Sequence, residues 1–410
     1  MKNFIIIIVF LFTSSALYSQ TWVQTLNGIP MWSMCKDIQG NIYAGTSGTV
    51  KAIYKTTNAG VNWQAILPSG ASNFLSISVD SLGNIYAANV SNGLMKSTDG
   101  GNNWTNIPLG TFNNKNVQTV TCGKNGVVFV GCVSGGVFRS TDYGATFPDT
   151  GIAGASIVTL VVDKYNPEKI YAGASSTTGI MGLYISTNGG QLFTGPYNNY
   201  TCWGLLQKSQ QELYMITTST GTPFTKSTDG GYTWTTVSAQ PGSMRGCTFD
   251  LAGNIYISGN GGVFKSTNNG VSFNNMGLTT SGNQIISSGN RMYAAMTGST
   301  TGGVWIYTDT TLSAINPSGS YTAGNYKLLQ NYPNPFNPLT TIEFSVPESG
   351  VVVLSVYDIS GKKINTLLNG RISAGTYSVK FDGSRLSSGI YLYELSAGNN
   401  VLTKKMILTK

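Results

Sequence analysis

An eight-residue motif that recurs along the chain constrains its fold more than any other feature. The clearest copy, "STDGGNNW", begins at residue 97, near-copies begin at residues 56, 140, 186, 227 and 266, and a degenerate copy begins at residue 307. Successive copies start 39 to 46 residues apart. A repeat of this length is typical of the four-stranded blade of a β-propeller. The spacing therefore predicts a repeat architecture with one blade for each copy.

A second, β-rich element keeps the same spacing about fifteen residues before each motif, as in "GNIYAG" at residue 40 and "GNIYIS" at residue 253. Each repeat reads as strand, turn, strand, loop, strand, the motif as a second turn, and a fourth strand. An extra strand-like segment, "TWVQTL", precedes the first repeat, and the seventh repeat lacks a fourth strand. We predict an all-β chain in which residues 20–311 form a seven-bladed β-propeller closed by the N-terminal strand.

The residue types of the motif favour a structural turn. The side chains of Ser97 and Asp99 can accept hydrogen bonds from backbone N–H groups of the turn, Gly101 supplies a positive φ, and Trp104 packs back onto the blade. Asn replaces Asp in three copies, which a turn tolerates and a catalytic acid does not. One carboxylate per loop is also too few for calcium. The residues predicted to have this structural role are Asn58, Ser97, Asp99, Gly101, Trp104, Ser140, Asp142, Ser186, Asn188, Ser227, Asp229, Trp234, Ser266 and Asn268.

These motifs resemble the Asp-box, or BNR repeat, of sialidases and related propellers, and the resemblance covers residues 22–310. In those families the box lies on the face away from the active site, so the resemblance implies a fold more than an activity. The same box occurs in xyloglucan-cleaving glycosidases and in photosystem II assembly factors.

The two ends of the chain differ from the repeats in composition and in residue pattern. Residues 1–19 have the charged, apolar and small-residue order of a secretory signal peptide, and no later segment is long and apolar enough to span a membrane. Residues 312–325 form a Ser/Gly/Pro/Thr-rich linker. In residues 326–410, apolar and polar residues alternate along short strand-like runs, as in a small Ig-like β-sandwich.

Three motifs in residues 326–410, "NYPNPFNPLTTIEFSVP", "VYDISGKKI" and "SGIYLYEL", resemble the C-terminal sorting domain of type IX secretion substrates in Bacteroidetes. The resemblance implies passage through the periplasm to the cell surface or the exterior. It also implies that residues 326–410 interact with the outer-membrane translocon and are commonly removed afterwards.

Composition argues against several classes of function. The chain has no histidine, and its five cysteines include no CxxC pair, so we expect no metal site and no cofactor. The net charge of +8 is spread thinly, without the basic cluster that a nucleic acid would require. The cysteines are either free thiols or include one disulfide, such as Cys122–Cys132.

Candidate catalytic groups are scarce. A sialidase needs three arginines for the substrate carboxylate, but Arg139 occupies a strand position that holds lysine in other repeats, which leaves Arg245 and Arg291. A general glycosidase needs two facing carboxylates. Of the eleven in residues 21–325, all but Asp149 and Asp309 fall in repeated turns. Catalysis is therefore not the favoured interpretation.

The loops that emerge opposite the boxes define a candidate ligand site at the mouth of the central channel. Counting back five residues from the first turn of each repeat gives one position per blade: Trp32, Leu75, Gln118, Val158, Trp203, Arg245 and Gly282. Two indoles and a guanidinium would suit a sugar or a peptide, although the tryptophans would also serve as a plug. We predict a secreted or cell-surface, noncatalytic binding module with a glycan or an extracellular protein as candidate partner. The alternatives are a glycoside hydrolase related to sialidases and a protein-assembly scaffold.

Overall fold

The computed structural model describes residues 21–48, 50–67, 73–89, 93–109, 116–175, 180–217, 223–250, 252–298, 300–309, 316–317, 326–347, 350–372 and 375–410. The predicted signal peptide lies outside these residues. Every regular element within them is a β-strand, which confirms the all-β class. The described residues contain no helix that could cross a membrane.

The described part of residues 21–309 forms seven antiparallel sheets, one for each copy of the repeat. Sheet 1 contains β2 (Met31–Lys36), β3 (Ile42–Thr46), β4 (Ile53–Thr56) and β5 (Gln64–Leu67). Sheet 2 contains β6 (Phe74–Val79), β7 (Ile85–Asn89), β8 (Gly93–Ser97) and β9 (Thr105–Ile107). Sheet 3 contains β10 (Val117–Cys122), β11 (Val128–Cys132), β12 (Gly136–Ser140) and β13 (Asp149–Gly151). Sheet 4 contains β14 (Ser156–Val162), β15 (Ile170–Ser175) and β16 (Gly182–Ser186). Sheet 5 contains β17 (Gly204–Gln207), β18 (Leu213–Ile216), β19 (Pro223–Ser227) and β20 (Thr235–Ala239). Sheet 6 contains β21 (Met244–Phe249), β22 (Ile255–Gly259), β23 (Gly262–Ser266) and β24 (Asn274–Asn275). Sheet 7 contains β25 (Gly282–Ser288), β26 (Arg291–Met296), β27 (Gly303–Thr308) and β1 (Trp22–Thr25).

Sheet 7 is completed by the N-terminal strand β1. It pairs antiparallel with β27, with Trp22 opposite Tyr307 and Thr25 opposite Val304. The Trp22 indole N–H also donates to the carbonyl of Met276 in the segment after sheet 6 (2.9 Å). This is the arrangement that the missing fourth strand of the seventh repeat predicts.

The first strands of the sheets, which we call the innermost strands, contact one another in cyclic order. The order runs through β2, β6, β10 and β14, continues through β17, β21 and β25, and returns to β2. The link between sheets 4 and 5 includes a hydrogen bond from the Thr159 hydroxyl to the Trp203 carbonyl (3.0 Å). The innermost strands therefore surround a common axis.

Hydrophobic cores lie between neighbouring sheets. Tyr43 and Ile53 of sheet 1, for example, pack in one cluster with Phe74 and Ile85 of sheet 2. The second strands are buried along all or nearly all of their length because a sheet covers each of their faces. A Cβ on Gly45 would lie 2.8 Å from Cβ of Phe74, so the close approach of the sheets requires glycine there.

Ser97 and Asp99 bind the backbone of their own turn. The Ser97 hydroxyl donates to Asp99 Oδ1 and accepts the N–H of Gly101, both at 2.9 Å. Asp99 Oδ1 also accepts the N–H of Asn103 (2.9 Å), and Gly101 has a φ of 103°. The same hydroxyl-to-side-chain bond recurs in the other boxes, at Thr56–Asn58, Ser140–Asp142, Ser186–Asn188, Ser227–Asp229 and Ser266–Asn268.

The tryptophans that end these motifs connect neighbouring sheets. The indole N–H of Trp104 donates to the carbonyl of Ile66 in sheet 1 (3.1 Å), and the ring packs with side chains of sheets 1 and 2. Trp234 likewise packs with Tyr171 and Leu183 of sheet 4. The expectation that Trp104 packs onto its own blade is therefore incomplete, because the indole joins two sheets.

Residues 316–317 and the described part of residues 326–410 form two more four-stranded sheets. Sheet 8 contains β28 (Asn316–Pro317), β29 (Lys327–Leu328), β30 (Leu339–Val346) and β33 (Gly375–Asp382), and sheet 9 contains β31 (Gly350–Asp358), β32 (Lys363–Ile372), β34 (Gly389–Ala397) and β35 (Asn400–Leu408). Phe344 and Val379 of sheet 8 share one core with Leu354 and Tyr393 of sheet 9. Two residues of the predicted linker, 316 and 317, pair with β33.

All five cysteines are free thiols. Cys122 lies opposite Val128, whereas Cys132 lies opposite Val117 at the other end of the same hairpin. The two thiols are about 13 Å apart along the strands at roughly 3.3 Å per residue, too far for a disulfide. The alternative of a Cys122–Cys132 disulfide is therefore wrong.

Candidate ligand-binding site

A β-bulge interrupts six of the innermost strands at the same position in the described sheets. The pairing register shifts by one residue, and the extra residue belongs to no ladder pair. Bulges re-aim a side chain away from its strand, and they are frequent beside functional sites. The extra residues are Trp32, Leu75, Gln118, Val158, Arg245 and Asn283. In sheet 5 the corresponding residue, Trp203, immediately precedes β17.

These side chains meet at one cavity of about 180 Å³, to which all seven sheets contribute. Six of the seven positions predicted from the repeat spacing line it: Trp32, Leu75, Gln118, Val158, Trp203 and Arg245. The remaining lining residues are Ser76, Thr119, Thr159, Asn283 and Gln284. We call this space the axial cavity.

Gly282 does not line the axial cavity, and Asn283 takes the position predicted for it. Gly282 is a regular ladder residue opposite Met296. The first hairpin of the seventh repeat joins Ser288 to Arg291 across two residues, whereas that of the first repeat spans residues 37–41. Because this hairpin turn is shorter, counting back five residues from it gives Gly282, one residue before the residue that lines the cavity.

The guanidinium of Arg245 lies between the two indoles. Its Cζ is 5.1 Å from the ring centroid of Trp32 and 5.9 Å from that of Trp203, both within the range of cation–π attraction. One N–H donates to Oδ1 of Asn283 (2.8 Å). Burial lowers the pKa of Arg245, but arginine retains its charge at physiological pH. The indoles therefore hold a cation in place instead of offering two open stacking faces.

Neighbouring polar side chains are tied to the backbone. Asn283 donates to the carbonyl of Met31 (3.0 Å), and Oε1 of Gln284 accepts the N–H of Met34 (2.9 Å), so both link sheet 7 to sheet 1. Gln118 differs, because its Oε1 is buried and has no hydrogen-bond partner in the described structure. An acceptor in this state favours a ligand that brings a donor.

The carboxylates of the repeats serve other purposes. Asp37 is buried and accepts hydrogen bonds from the N–H groups of Gln39 and Asn41 and from the hydroxyl of Tyr43. Related contacts within or beside the first turn are made by Asp80, Asp163, Glu212 and Asp250. The buried Asp309 lies 3.4 Å from the ammonium of Lys265. Among the described residues, no carboxylate lines the axial cavity.

Part of the polar lining was not predicted, because Thr119 and Asn283 stand one residue, and Gln284 two residues, after the predicted positions. A usable signal exists in the aromatic residue of each second strand, because its ladder partner lies three residues after the cavity position, as Cys35, the partner of Tyr43, lies three residues after Trp32. Tyr293 pairs with Ile286 in the seventh repeat, and the same offset leads to Asn283.

A family model described as a secretion system C-terminal sorting domain matches residues 330–409. The chain carries a type IX sorting domain. This match confirms the predicted sorting domain, and it indicates export to the cell surface or the extracellular space through interaction with the type IX machinery.

One curated relative is a xyloglucanase from Paenibacillus sp., which is 28% identical over 187 residues. The match covers 42% of this chain and 16% of that protein, so the chain spans only a small part of its relative.

Three solved structures resemble the fold. YCF48 bound to D1 peptide has a TM-score of 0.56 at 15% identity, over 70% of this chain and 96% of that chain. The extracellular domain of BT4673 from B. thetaiotaomicron has a TM-score of 0.56 at 12% identity, over 95% and 59% of the two chains. PorZ, a surface component of the type IX secretion system of Porphyromonas gingivalis, has a TM-score of 0.50 at 13% identity, over 92% and 59%. At these identities the likeness shows a propeller fold alone.

Proposed function

We propose that the protein is an extracellular, noncatalytic binding module in which the axial cavity recognises a glycan. In this proposal the seven sheets are the blades of one Asp-box propeller related in fold to sialidases, and residues 326–410 are an Ig-like sandwich. Residues 1–19 are a signal peptide that delivers the chain to the periplasm, and the sorting domain directs it onward.

The observation that carries the proposal is that all seven sheets contribute to one cavity, mainly through residues that are left out of the β-ladder pairing. A plug would need only bulk at this place. Here, by contrast, indoles, amides, hydroxyls and a guanidinium meet, a combination of apolar walls and a few oriented polar groups that is typical of ligand sites. Amide and hydroxyl groups suit the many hydroxyls of a sugar. The partial similarity to a xyloglucanase supports a polysaccharide as the class of ligand.

The hydrolase alternative has less support. Retaining and inverting glycosidases both need two carboxyl groups across the scissile bond, about 5 to 9.5 Å apart. The described lining of the axial cavity offers none, and the carboxylates near the first turns are held by their own loops. We therefore expect binding without turnover.

The test is binding of the purified protein to an array of glycans and polysaccharides, beside a Trp32→Ala/Trp203→Ala variant. A Trp305→Ala variant is the matched control, because this half-buried indole donates to the carbonyl of Thr301 and does not line the cavity. We expect binding that the double variant loses and the control keeps. Absence of binding to every glycan would contradict the proposal, and retention of a peptide or protein partner instead would favour the assembly scaffold.

A further inference from the structure

Arg245 carries a charge that the protein does not neutralise. None of the ion pairs among the described residues includes it, and the closest acceptor is the neutral amide of Asn283. Lys265, by comparison, lies within 4.0 Å of both Asp250 and Asp309. A partly buried cation without an anionic partner costs folding free energy, and this one lies in a cavity lined by all seven sheets, where an anion from outside the chain could pair with it.

The surroundings of Arg245 orient it for a planar anion. The indoles of Trp32 and Trp203 hold the guanidinium by its π contacts, and Asn283 takes one of its five N–H donors. The free donors form a rigid fork that matches the two oxygens of a carboxylate. A guanidinium fixed in advance loses little rotamer freedom when it binds.

Gln118 adds a second requirement. Gln118 lines the same cavity, and its buried Oε1 has no partner in the described residues, so a complete ligand brings a hydrogen-bond donor together with its anion. A neutral sugar lacks the anion, and an anion such as chloride or sulfate lacks the donor. A sugar that carries a carboxylate and hydroxyls on one ring satisfies both groups.

The size of the cavity limits how much of the ligand enters. Its volume of about 180 Å³ is below the roughly 300–1,000 Å³ of sites that enclose a whole drug-sized ligand. One residue at the end of a chain therefore enters, and the rest of the chain stays outside.

We propose that the axial cavity binds a terminal uronic acid residue of an acidic polysaccharide, with Arg245 on the carboxylate and Gln118 on a hydroxyl. This inference rests on the proposed function, because it specifies the class of glycan that the same site accepts.

The experiment compares trisaccharides ending in glucuronic, galacturonic or mannuronic acid with the carboxyl-reduced form of each, by calorimetric titration of the purified protein. We expect at least one acidic trisaccharide to bind about 30-fold or more tightly than its reduced form, since loss of a buried charge partner costs about 2 kcal/mol or more. Arg245→Gln should remove this preference, and Arg245→Lys should restore it only in part.

Arg291→Gln is the matched control, because that guanidinium donates to the carbonyl of Ala59 and lies outside the cavity. Gln118→Leu should weaken binding about tenfold, through loss of one hydrogen bond. Equal binding of acidic and reduced forms would overturn the inference and leave the proposed function standing. Absence of any sugar binding would overturn both. Binding of a peptide through its free C-terminal carboxylate, with no binding of uronates, would also overturn it. The ligand comparison on the unaltered protein decides the question even where a variant fails to fold.

Discussion

Asp99 illustrates how one carboxylate serves a turn. The backbone N–H and side chain of Asn103 and the hydroxyl of Ser97 lower the pKa of Asp99 to about 2. A folded-state pKa below the unfolded value of about 3.9 means that these bonds stabilise the fold above pH 4, and that this contribution is lost as the pH falls toward 2.

We expect Asp99→Asn to show a smaller loss of stability between pH 4 and pH 2 than the unaltered protein, because the amide does not titrate. Urea midpoints measured across this range test the expectation. Asn188 occupies the same position in another box, and its Oδ1 accepts the N–H of Leu192. The converse change, Asn188→Asp, should therefore increase the dependence on acid. Identical profiles for all three proteins would contradict the assignment.

Ser97 gives a second prediction at the scale of one residue. Its hydroxyl is buried and accepts the N–H of Gly101, so Ser97→Ala leaves a buried donor without a partner. We expect a loss of about 1–3 kcal/mol in the free energy of unfolding. Thr105→Ala, which removes an exposed hydroxyl that donates to the Lys96 carbonyl, is the control and should cost less. Chemical denaturation of both variants makes the comparison, and equal losses would argue against a structural hydroxyl in the box.

At the scale of elements, β1 is the strand that joins the two ends of the ring. Trp22 anchors it, since the indole donates to the Met276 carbonyl and its ring lies 5.3 Å from that of Tyr307. Val23, next to it, is 59% exposed. The strand therefore has one strongly engaged side chain beside one that faces solvent.

We expect Trp22→Ala to lower the free energy of unfolding by about 2–3 kcal/mol, less than the 3–5 kcal/mol of a fully buried tryptophan. Val23→Ala should stay within about 0.5 kcal/mol of the unaltered protein. Denaturation curves followed by tryptophan fluorescence and by circular dichroism provide the measurement. A similar effect of both changes would show that β1 does not depend on this anchor.

Most elements could be predicted because the repeats place apolar strands and turns at regular intervals. One fourth strand departs from the pattern. In sheet 4 the corresponding segment makes an isolated bridge from Thr194 to Ile185 of β16, and after Pro196 the N–H of Tyr197 donates to the Leu183 carbonyl (2.8 Å). Proline has no N–H to donate to a ladder, which interrupts regular pairing between these two contacts.

At the scale of the whole molecule, the fold and the site differ in what a sequence reveals of them. The fold rests on features that recur, such as Asp37 in its turn or Gly45 between two sheets. The site rests on features that differ between repeats. Nothing local indicates that Arg245 lies between Trp32 and Trp203, because these residues come from sheets 6, 1 and 5 and meet only when the ring closes.

The sorting domain gives a prediction at this scale, because we expect export to require that it be folded. Asn331 is buried, its N–H donates to the Tyr393 hydroxyl (2.9 Å), and its amide donates to Pro333 and Thr340. The adjacent Tyr332 is 82% exposed. A change at Asn331 therefore tests the folding of the domain, whereas a change at Tyr332 alters only its surface.

We expect Asn331→Ala to destabilise the C-terminal region by about 1–3 kcal/mol and to lower the exported fraction in a host with type IX secretion. Tyr332→Ala should leave stability within about 0.5 kcal/mol of the unaltered protein. Thermal unfolding together with the distribution between periplasm and medium tests both. Normal stability of the Asn331→Ala protein would contradict the role assigned to its amide.

The bulges of the innermost strands have a consequence for how such a protein diversifies. A bulge residue belongs to no ladder pair, so its side chain can change while every pairing in the sheet is kept. Apart from Asn283, whose side chain bonds to sheet 1, the ring thus presents a set of positions whose identities are nearly independent of foldability, each contributed by a different segment of the chain. Directed evolution that randomises Trp32, Leu75, Gln118 and Val158 would sample new specificities on an unchanged scaffold, as hypervariable loops do in antibodies.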